Sequence, residues 1–232
     1  MKSLSGWRGF ATLAAVLVLG APSIARASDD PAKYGERLVD AKQVFVELTS
    51  SGDRGVPKEL MEKAKAIVVI PGMMKGALGF GARWGSGVMS ARSQGGWSAP
   101  IFVSLKGGSW GLQIGAQKTD LVLFFMTEKG ARSLVTKSKF TLGGSASVAA
   151  GPMGRSGEAA TDLHMNAEIY SYAKSKGLFA GISLEGASLK PSVSATQAYY
   201  GHPVSPQKIL FASQEPRMPA EARDFVAVLP KY

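Results

Sequence analysis

The feature that most constrains the fold is a glycine-rich segment, residues 72–115, which holds 12 glycines in 44 residues. Glycine destabilises a helix interior by about 1 kcal/mol relative to alanine, so this segment does not favour long helices. Its glycines alternate with β-branched, aromatic and other apolar residues instead of forming a low-complexity tract. We therefore expect a strongly curved sheet in which backbones approach each other closely.

Strand periodicity continues beyond this segment. Residues 110–117, 140–148 and 178–185 each alternate apolar with small or polar side chains, which predicts strands with one apolar face. Residues 121–126 are apolar on both faces, as in a central buried strand. A short strand from Ile67 to Ile70 is expected to end at Pro71 and Gly72.

Helices are predicted on both sides of the sheet segment. Tyr34, Leu38, Ala41, Phe45 and Leu48 form one helical stripe over residues 31–51, with Asp29 or Asp30 as the cap. Shorter helices are expected from residue 57, over residues 128–137 and from residue 219. The sequence thus predicts an α+β fold: a glycine-rich, strongly curved, mostly antiparallel, barrel-like sheet with N-terminal amphipathic helices and short flanking helices.

The first 27 residues have the pattern of a signal peptide. Lys2 and Arg8 precede an apolar run over residues 11–21, and Ala25, Arg26 and Ala27 form a small-x-small cleavage site. The run is shorter than the roughly 20 apolar residues of a membrane-spanning helix, which makes an uncleaved anchor the weaker alternative. The chain has no Cys and needs no disulfide after export. We expect an exported protein of the periplasm or cell envelope, peripheral to the membrane.

Beyond the signal peptide, we expect one main domain over residues 28–201. Residues 202–232 then form a proline-rich C-terminal extension with a short helix, packed on the same domain. Export also means that nucleic acid is not an expected partner.

Positive charge is concentrated in part of the chain. Its 27 Lys and Arg exceed its 17 Asp and Glu by 10, and no acid lies between Glu62 and Asp120. If these cations share a face, that face favours an anionic partner, and each contributes about 1 kcal/mol at an anionic membrane. A solvated surface that aids solubility is the alternative for the cations, and core packing is the alternative for Trp84. The predicted lipid contacts are the cations Lys58, Lys63, Lys65, Lys75, Arg83 and Lys106, with the apolar residues Met73, Met74 and Trp84.

Catalytic patterns are sparse. The two histidines, His164 and His202, lack a second ligand at metal-binding spacing. Residues 107–111 match the G-x-S-x-G letters around Ser109, but a strand pattern follows where a nucleophile elbow requires a helix. Asp120 and Asp162 are expected to fix turns. We predict no catalytic residue, no metal site and no cofactor, and a hydrolase using Ser109, Asp120 or Asp162 is the least favoured hypothesis.

Several ordered motifs over residues 31–201 resemble the SYLF domain family. They are residues 70–72, 75–81, 97–100, 111–117 with 119–121, 150–152 with 154–155, 170–172, 175–181, 183–186 and 199–201. Thr196 departs from the family, which commonly has Asn at this position ahead of the aromatic pair.

The resemblance implies a lipid-binding module, with phosphoinositide recognition in eukaryotic members and actin binding in fungal relatives. It also implies that the helix from Tyr34 to Leu48, with Lys58, Lys63, Lys65 and Lys75, serves the membrane. Core docking is the alternative for this helix, because Glu36, Asp40 and Glu47 interrupt its apolar stripe. An exported bacterial protein does not meet actin in its own compartment, and its lipid is expected to be phosphatidylglycerol, cardiolipin or a similar anionic species.

The predicted function is therefore non-enzymatic binding of anionic phospholipid at a membrane surface of the cell envelope. The alternative is a structural envelope module whose sheet packs against a protein or polysaccharide partner. Export, compartment and charge favour the lipid.

Overall fold

The structure, a computed structural model, describes residues 30–50, 55–78, 80–93, 95–109, 115–153, 166–175, 177–212 and 216–231. The predicted signal peptide, residues 110–114 of one predicted strand, Asp162 and His164 lie outside these ranges.

Six helices and ten strands are found within these ranges. The helices are α1 Pro31–Thr49, α2 Lys58–Lys63, α3 Glu128–Thr136, α4 Val193–Tyr200, α5 Pro206–Phe211 and α6 Ala220–Ala227. The strands are β1 Ala66–Leu78, β2 Phe80–Ser93, β3 Gly96–Trp97, β4 Ile101–Ser109, β5 Gly115–Phe125, β6 Phe140–Thr141, β7 Val148–Ala150, β8 Ile169–Ser175, β9 Leu178–Gly181 and β10 Ser188–Pro191.

The strands form one curled, half-barrel sheet. Its order is β6-β10-β4-β2-β1-β5-β8-β7, with β3 paired to β2 and β9 paired to β8. Every pairing is antiparallel except that of β7 with β8. The predicted α+β class and the predicted curved, mostly antiparallel sheet are confirmed.

Helices cover both faces of the sheet. In β5, Leu121, Leu123 and Phe125 face one core with α3 and α5, while Val122 and Phe124 face a second core with α1, α4 and α6. All five side chains are fully buried, as predicted for a central strand. Burying such side chains contributes about 1.5–3 kcal/mol each, so these two cores dominate the stability of the fold.

Helix α1 packs across the strands. Asp30 caps it by accepting a hydrogen bond from the Ala32 amide at 3.0 Å. Its apolar stripe is buried: the Tyr34 ring lies 4.9 Å from that of Phe102 in β4, and the Phe45 ring 6.3 Å from that of Phe124 in β5. The predicted helix and stripe are confirmed, and the stripe packs in the core of the domain.

The predicted end of the first strand is wrong. Strand β1 continues past Pro71 and Gly72 to Leu78, and its register against both neighbours shifts there by one residue, as in a β-bulge. Gly72 has φ 57°, and its amide donates to the Asp120 carboxylate at 2.8 Å. A bulge accommodates both the proline and the left-handed glycine, because the bulged residues leave the hydrogen-bond ladder. Asp120 thus fixes this bulge, in place of the turn expected for it.

Two other predicted strands are shorter than expected. Residues 140–148 do not form one strand: β6 ends at Thr141, and a turn with Gly143 at φ 85° precedes β7. Strand β9 ends at Gly181, where a Cβ would lie 2.4 Å from the Gly151 carbonyl oxygen. Alternation of small residues does not distinguish a strand from a tight turn, which explains both errors.

The C-terminal segment packs on the second core. Phe225 of α6 is fully buried, and the Trp97 indole donates to the Pro230 carbonyl at 2.8 Å. Lys42 of α1 pairs with Asp224 of α6 at 3.0 Å. The division into a main domain and an extension stays a prediction. None of the helices in the described ranges is long and apolar enough to cross a bilayer.

Candidate functional site

Four side chains form a row across four strands on the face that α1 covers. Met74 of β1 lies opposite Trp84 of β2 and Lys118 of β5, and Trp84 lies opposite Lys106 of β4. Directly opposite residues in antiparallel pairs project to the same face. The row therefore reads Lys118, Met74, Trp84, Lys106, with two apolar side chains between two cations.

Hydroxyl groups separate this row from the core. One step along β2 and β4, Ser86 lies opposite Ser104, and a further step on, Val88 lies opposite Phe102 in the second core. The polarity of the α1 face thus changes from apolar core to hydroxyls to the row of cations.

Helix α1 closes one side of this region and makes it a groove. Arg37 and Asp40 of α1 line it with Met74, Trp84, Ser86, Ser104, Lys106 and Lys118, and its volume is about 340 Å³. The groove walls carry three cations and one carboxylate. Such a concave, net positive site attracts an anion more strongly than a flat surface with the same charges.

The groove cations have no acidic partner in the part of the chain that the structure describes, which holds five cation–acid pairs. No ion pair of Arg37, Lys106 or Lys118 occurs within the ranges that the structure describes. Elsewhere, pairs such as Lys58 with Glu62 and Arg132 with Glu128 neutralise cations locally. The positive charge of the groove is therefore available to a ligand.

Trp84 is the large aromatic side chain that the groove exposes. Its side chain is 47% exposed, and its ring lies over Gly76, where an added Cβ would sit 3.6 Å from the indole. Glycine at this position gives the indole a flat backbone platform. An exposed indole between cations is typical of a residue that contacts an interface between water and lipid.

The structure separates the predicted lipid contacts into three groups. Lys106, Met74 and Trp84 line the groove. Lys58, Lys63 and Lys65 lie at the other end of β1, where Lys65 directly precedes the strand, so about 30 Å of extended chain separates it from Lys75. Lys63 forms an ion pair with Glu59, and Lys58 forms one with Glu62.

The third group lies on the opposite face of the sheet. Lys75 is directly opposite Arg83, one step out of phase with Met74 and Trp84. Arg83 packs under the segment before β10, donates to the Ser183 carbonyl at 3.3 Å, and has its pKa lowered by burial. Met73 is 3% exposed and belongs to the first core, so it does not reach the surface.

Sequence reasoning missed Arg37, Ser86 and Ser104 and did not single out Lys118 as a contact. Lys118 lies in the segment without acidic residues. It is two residues before Asp120, and strand alternation therefore places the two side chains on the same face of the sheet. Arg37 had no signal of this kind, because its place beside the sheet depends on how α1 crosses the strands.

An acidic region adjoins the groove. Glu47 of α1 pairs with Lys174 of β8, and hydrogen bonds from Lys174 and then Gln43 lower the pKa of the Glu47 carboxyl. Lys174 lies opposite Asp120 in the sheet. Lys174 neutralises Glu47, whereas Asp120 accepts a hydrogen bond from the Gly72 amide and keeps its charge, so one negative charge lies beside the net positive groove.

The described ranges give little support to a metal site or to a catalytic site. No group of three or more His, Asp or Glu that could hold a metal ion occurs among the residues described. Asp120 is held by the Gly72 amide, and His202 lies in the turn after α4.

Comparison with known proteins gives a consistent set of relatives. Residues 106–232 match the Ysc84 family, described as Las17-binding protein actin regulator. Protein YSC84 of Saccharomyces cerevisiae is 35% identical over 201 residues, which cover 85% of this chain and 41% of that protein. The human SH3 domain-containing YSC84-like protein 1 is 35% identical over 191 residues, covering 81% of this chain and 55% of that protein.

A third relative is LAS seventeen-binding protein 3 of Saccharomyces cerevisiae, 37% identical over 182 residues, covering 77% of this chain and 38% of that protein. The chain thus spans about half the length, or less, of these curated relatives. The family description and the name of the third relative refer to binding of Las17, and the family description also to actin regulation.

Proposed function

Because the chain belongs to the Ysc84 family, the family of the SYLF domain, we propose that it is a non-enzymatic protein that binds anionic phospholipid at a membrane surface of the cell envelope. The observation that carries this proposal is the row Lys118, Met74, Trp84, Lys106, with Arg37 facing it across the groove. These side chains combine unpaired cations with apolar groups on one face.

The physical argument is that a membrane surface rewards both components of the row. Each cation near anionic lipid contributes about 1 kcal/mol, so three contribute about 3 kcal/mol at low salt. The exposed part of the Trp84 indole adds apolar burial at the head-group level. Together they give reversible binding, in keeping with a peripheral protein. The predicted signal peptide supports placing this activity at an envelope membrane.

Vesicle co-sedimentation tests the proposal. We expect binding to vesicles that contain phosphatidylglycerol at about 0.05 M salt, and none to phosphatidylcholine vesicles. We expect this binding to weaken strongly at about 0.5 M salt, because the shorter Debye length screens the attraction between exposed cations and the anionic vesicle. Equal affinity for neutral and anionic vesicles would refute the proposal.

A protein partner is the second candidate, and the observation in its favour is that relatives are named as Las17-binding proteins. An envelope protein or polysaccharide docked on the exposed indole would be held by apolar contact. The salt series separates the two functions, since apolar contact survives 0.5 M salt and the binding of three exposed cations does not.

A further inference from the structure

We propose that the groove holds the head group of one anionic phospholipid, with the lipid phosphate between Arg37, Lys106 and Lys118. This inference rests on the proposed function and deepens it: it assigns lipid binding to one bounded site in place of a diffuse positive surface.

The geometry of the groove fits a single head group. Lys106 and Lys118 stand on the outer two of four adjacent strands, whose Cα positions span about 14 Å at a strand spacing of about 4.8 Å. Both lysines line the groove, and their flexible stems are long enough for the ammonium groups to reach toward its middle, while Arg37 lines it from α1. A volume of about 340 Å³ lies in the range of small-ligand pockets.

The donors of the groove match the oxygens of a phosphate. A guanidinium binds phosphate through two parallel N–H donors, and each ammonium adds further donors to the remaining oxygens. The Ser86 and Ser104 hydroxyls, directly opposite each other, add neutral donors on the groove floor. Asp40 on the helix wall offsets one of the three positive charges, and its carboxylate would accept a hydrogen bond from a head-group hydroxyl, as on glycerol.

The apolar part of the groove favours a lipid over a free phosphate ester. Trp84 and Met74 lie between the two lysines, where the glycerol backbone and the first acyl carbons of a bound lipid would lie. A soluble phosphate has no group that would contact these side chains.

Matched neutral substitutions test the site, because a diffuse surface depends on the number of charges and not on their positions. Arg37→Gln, Lys106→Gln and Lys118→Gln each remove one groove cation. Two control variants, Lys33→Gln and Lys75→Gln, each remove one cation near the groove. Lys33 lies about one turn before Arg37 on α1, and Lys75 follows Met74 but projects from the opposite face of the sheet. All five residues are outside both cores, and unchanged thermal midpoints verify folding.

We expect each groove variant to bind phosphatidylglycerol vesicles about tenfold more weakly than the unmodified protein at low salt, and each control to stay within about twofold. Equal losses in all five variants would overturn the groove and leave the proposed function intact. Failure of the unmodified protein to prefer these vesicles would remove the proposed function itself.

Competition provides a second measurement. Millimolar glycerol 3-phosphate should displace the protein from vesicles more effectively than sodium chloride at equal ionic strength, because it occupies the groove as well as screening charge. The Arg37→Gln variant should lose this difference. Displacement that depends on ionic strength alone would contradict a bounded head-group site.

Discussion

The close approach of β1 to β2 at the bulge makes Gly87→Ala a sharp test of the curved sheet. A Cβ at position 87 would lie 2.0 Å from the Val69 carbonyl oxygen and 2.7 Å from the Ile70 Cα, where ordinary contact begins at 3.4 Å. Both contacts are with backbone, so no rotamer change relieves them. The two strands must separate by about 1.4 Å, the difference between 2.0 and 3.4 Å.

The cost follows from what this separation breaks. Two ladder hydrogen bonds between β1 and β2 contribute about 1 kcal/mol each. Ile70, which is fully buried, also loses part of its 1.5–3 kcal/mol of burial energy, roughly in proportion to the loosening of the core around it. We expect the free energy of unfolding to fall by about 2–5 kcal/mol, a large fraction of the 5–15 kcal/mol typical of a domain.

Urea unfolding measures the effect, and Gly108→Ala in β4 is the matched control. A Cβ at position 108 meets nothing closer than the Gly81 carbonyl oxygen at 4.0 Å, so its free energy of unfolding should change by less than about 0.5 kcal/mol. A Gly87→Ala protein within about 1 kcal/mol of the unmodified protein would refute the close approach and, with it, the curvature inferred from the glycines.

Two further predictions concern buried polar groups. Thr196 accepts a hydrogen bond from the Phe102 amide at 3.1 Å. In urea unfolding, Thr196→Val should therefore lower the free energy of unfolding by about 1–3 kcal/mol, and Thr196→Ser, which keeps the hydroxyl, by less than about 1 kcal/mol. Equal effects of the two substitutions would contradict this hydrogen bond. Burial raises the pKa of Tyr172, Tyr199 and Tyr200, while an unfolded tyrosine ionises near pH 10, so the stability they contribute is intact below pH 10 and is lost above it. We expect a loss of about 4 kcal/mol by pH 11, reduced by about a third in Tyr200→Phe, and a stability that is unchanged between pH 9 and 11 would exclude this linkage.

The sequence predicted the elements whose physical signals are local. The α1 stripe from Tyr34 to Leu48, its cap at Asp30 and the doubly buried β5 all follow from periodicity and capping. The glycine content predicted curvature for the same reason, since a close approach such as that at Gly87 admits no side chain. Strand ends were less predictable, because Gly143 and Gly181 serve turns and close contacts that depend on distant segments.

The candidate site was only partly predictable, since it depends on pairing between strands far apart in sequence. Lys106, Met74 and Trp84 were selected from charge and composition, and register places them in one row. The same criteria also selected Arg83, whose guanidinium is covered by a segment that begins 100 residues later. Charge along a sequence does not reveal which face of a strand a residue occupies.

The bulge at Pro71 and Gly72 determines which side chains of the following part of β1 face α1. Before the bulge, Ile67 and Val69 face α1; after it, Met74 does. Met73, in the first core, and Lys75, which is exposed, lie on the other face. A strand without the extra residue would place the side chains of the opposite parity beside Trp84. The hydrogen bond from the Gly72 amide to Asp120 fixes the bulge and thereby determines that Met74, and not Met73, lies opposite the indole, because the register before the bulge would pair Met73 with Trp84. Asp120, which resembles a catalytic carboxylate in sequence, is thus a positioning residue for the groove.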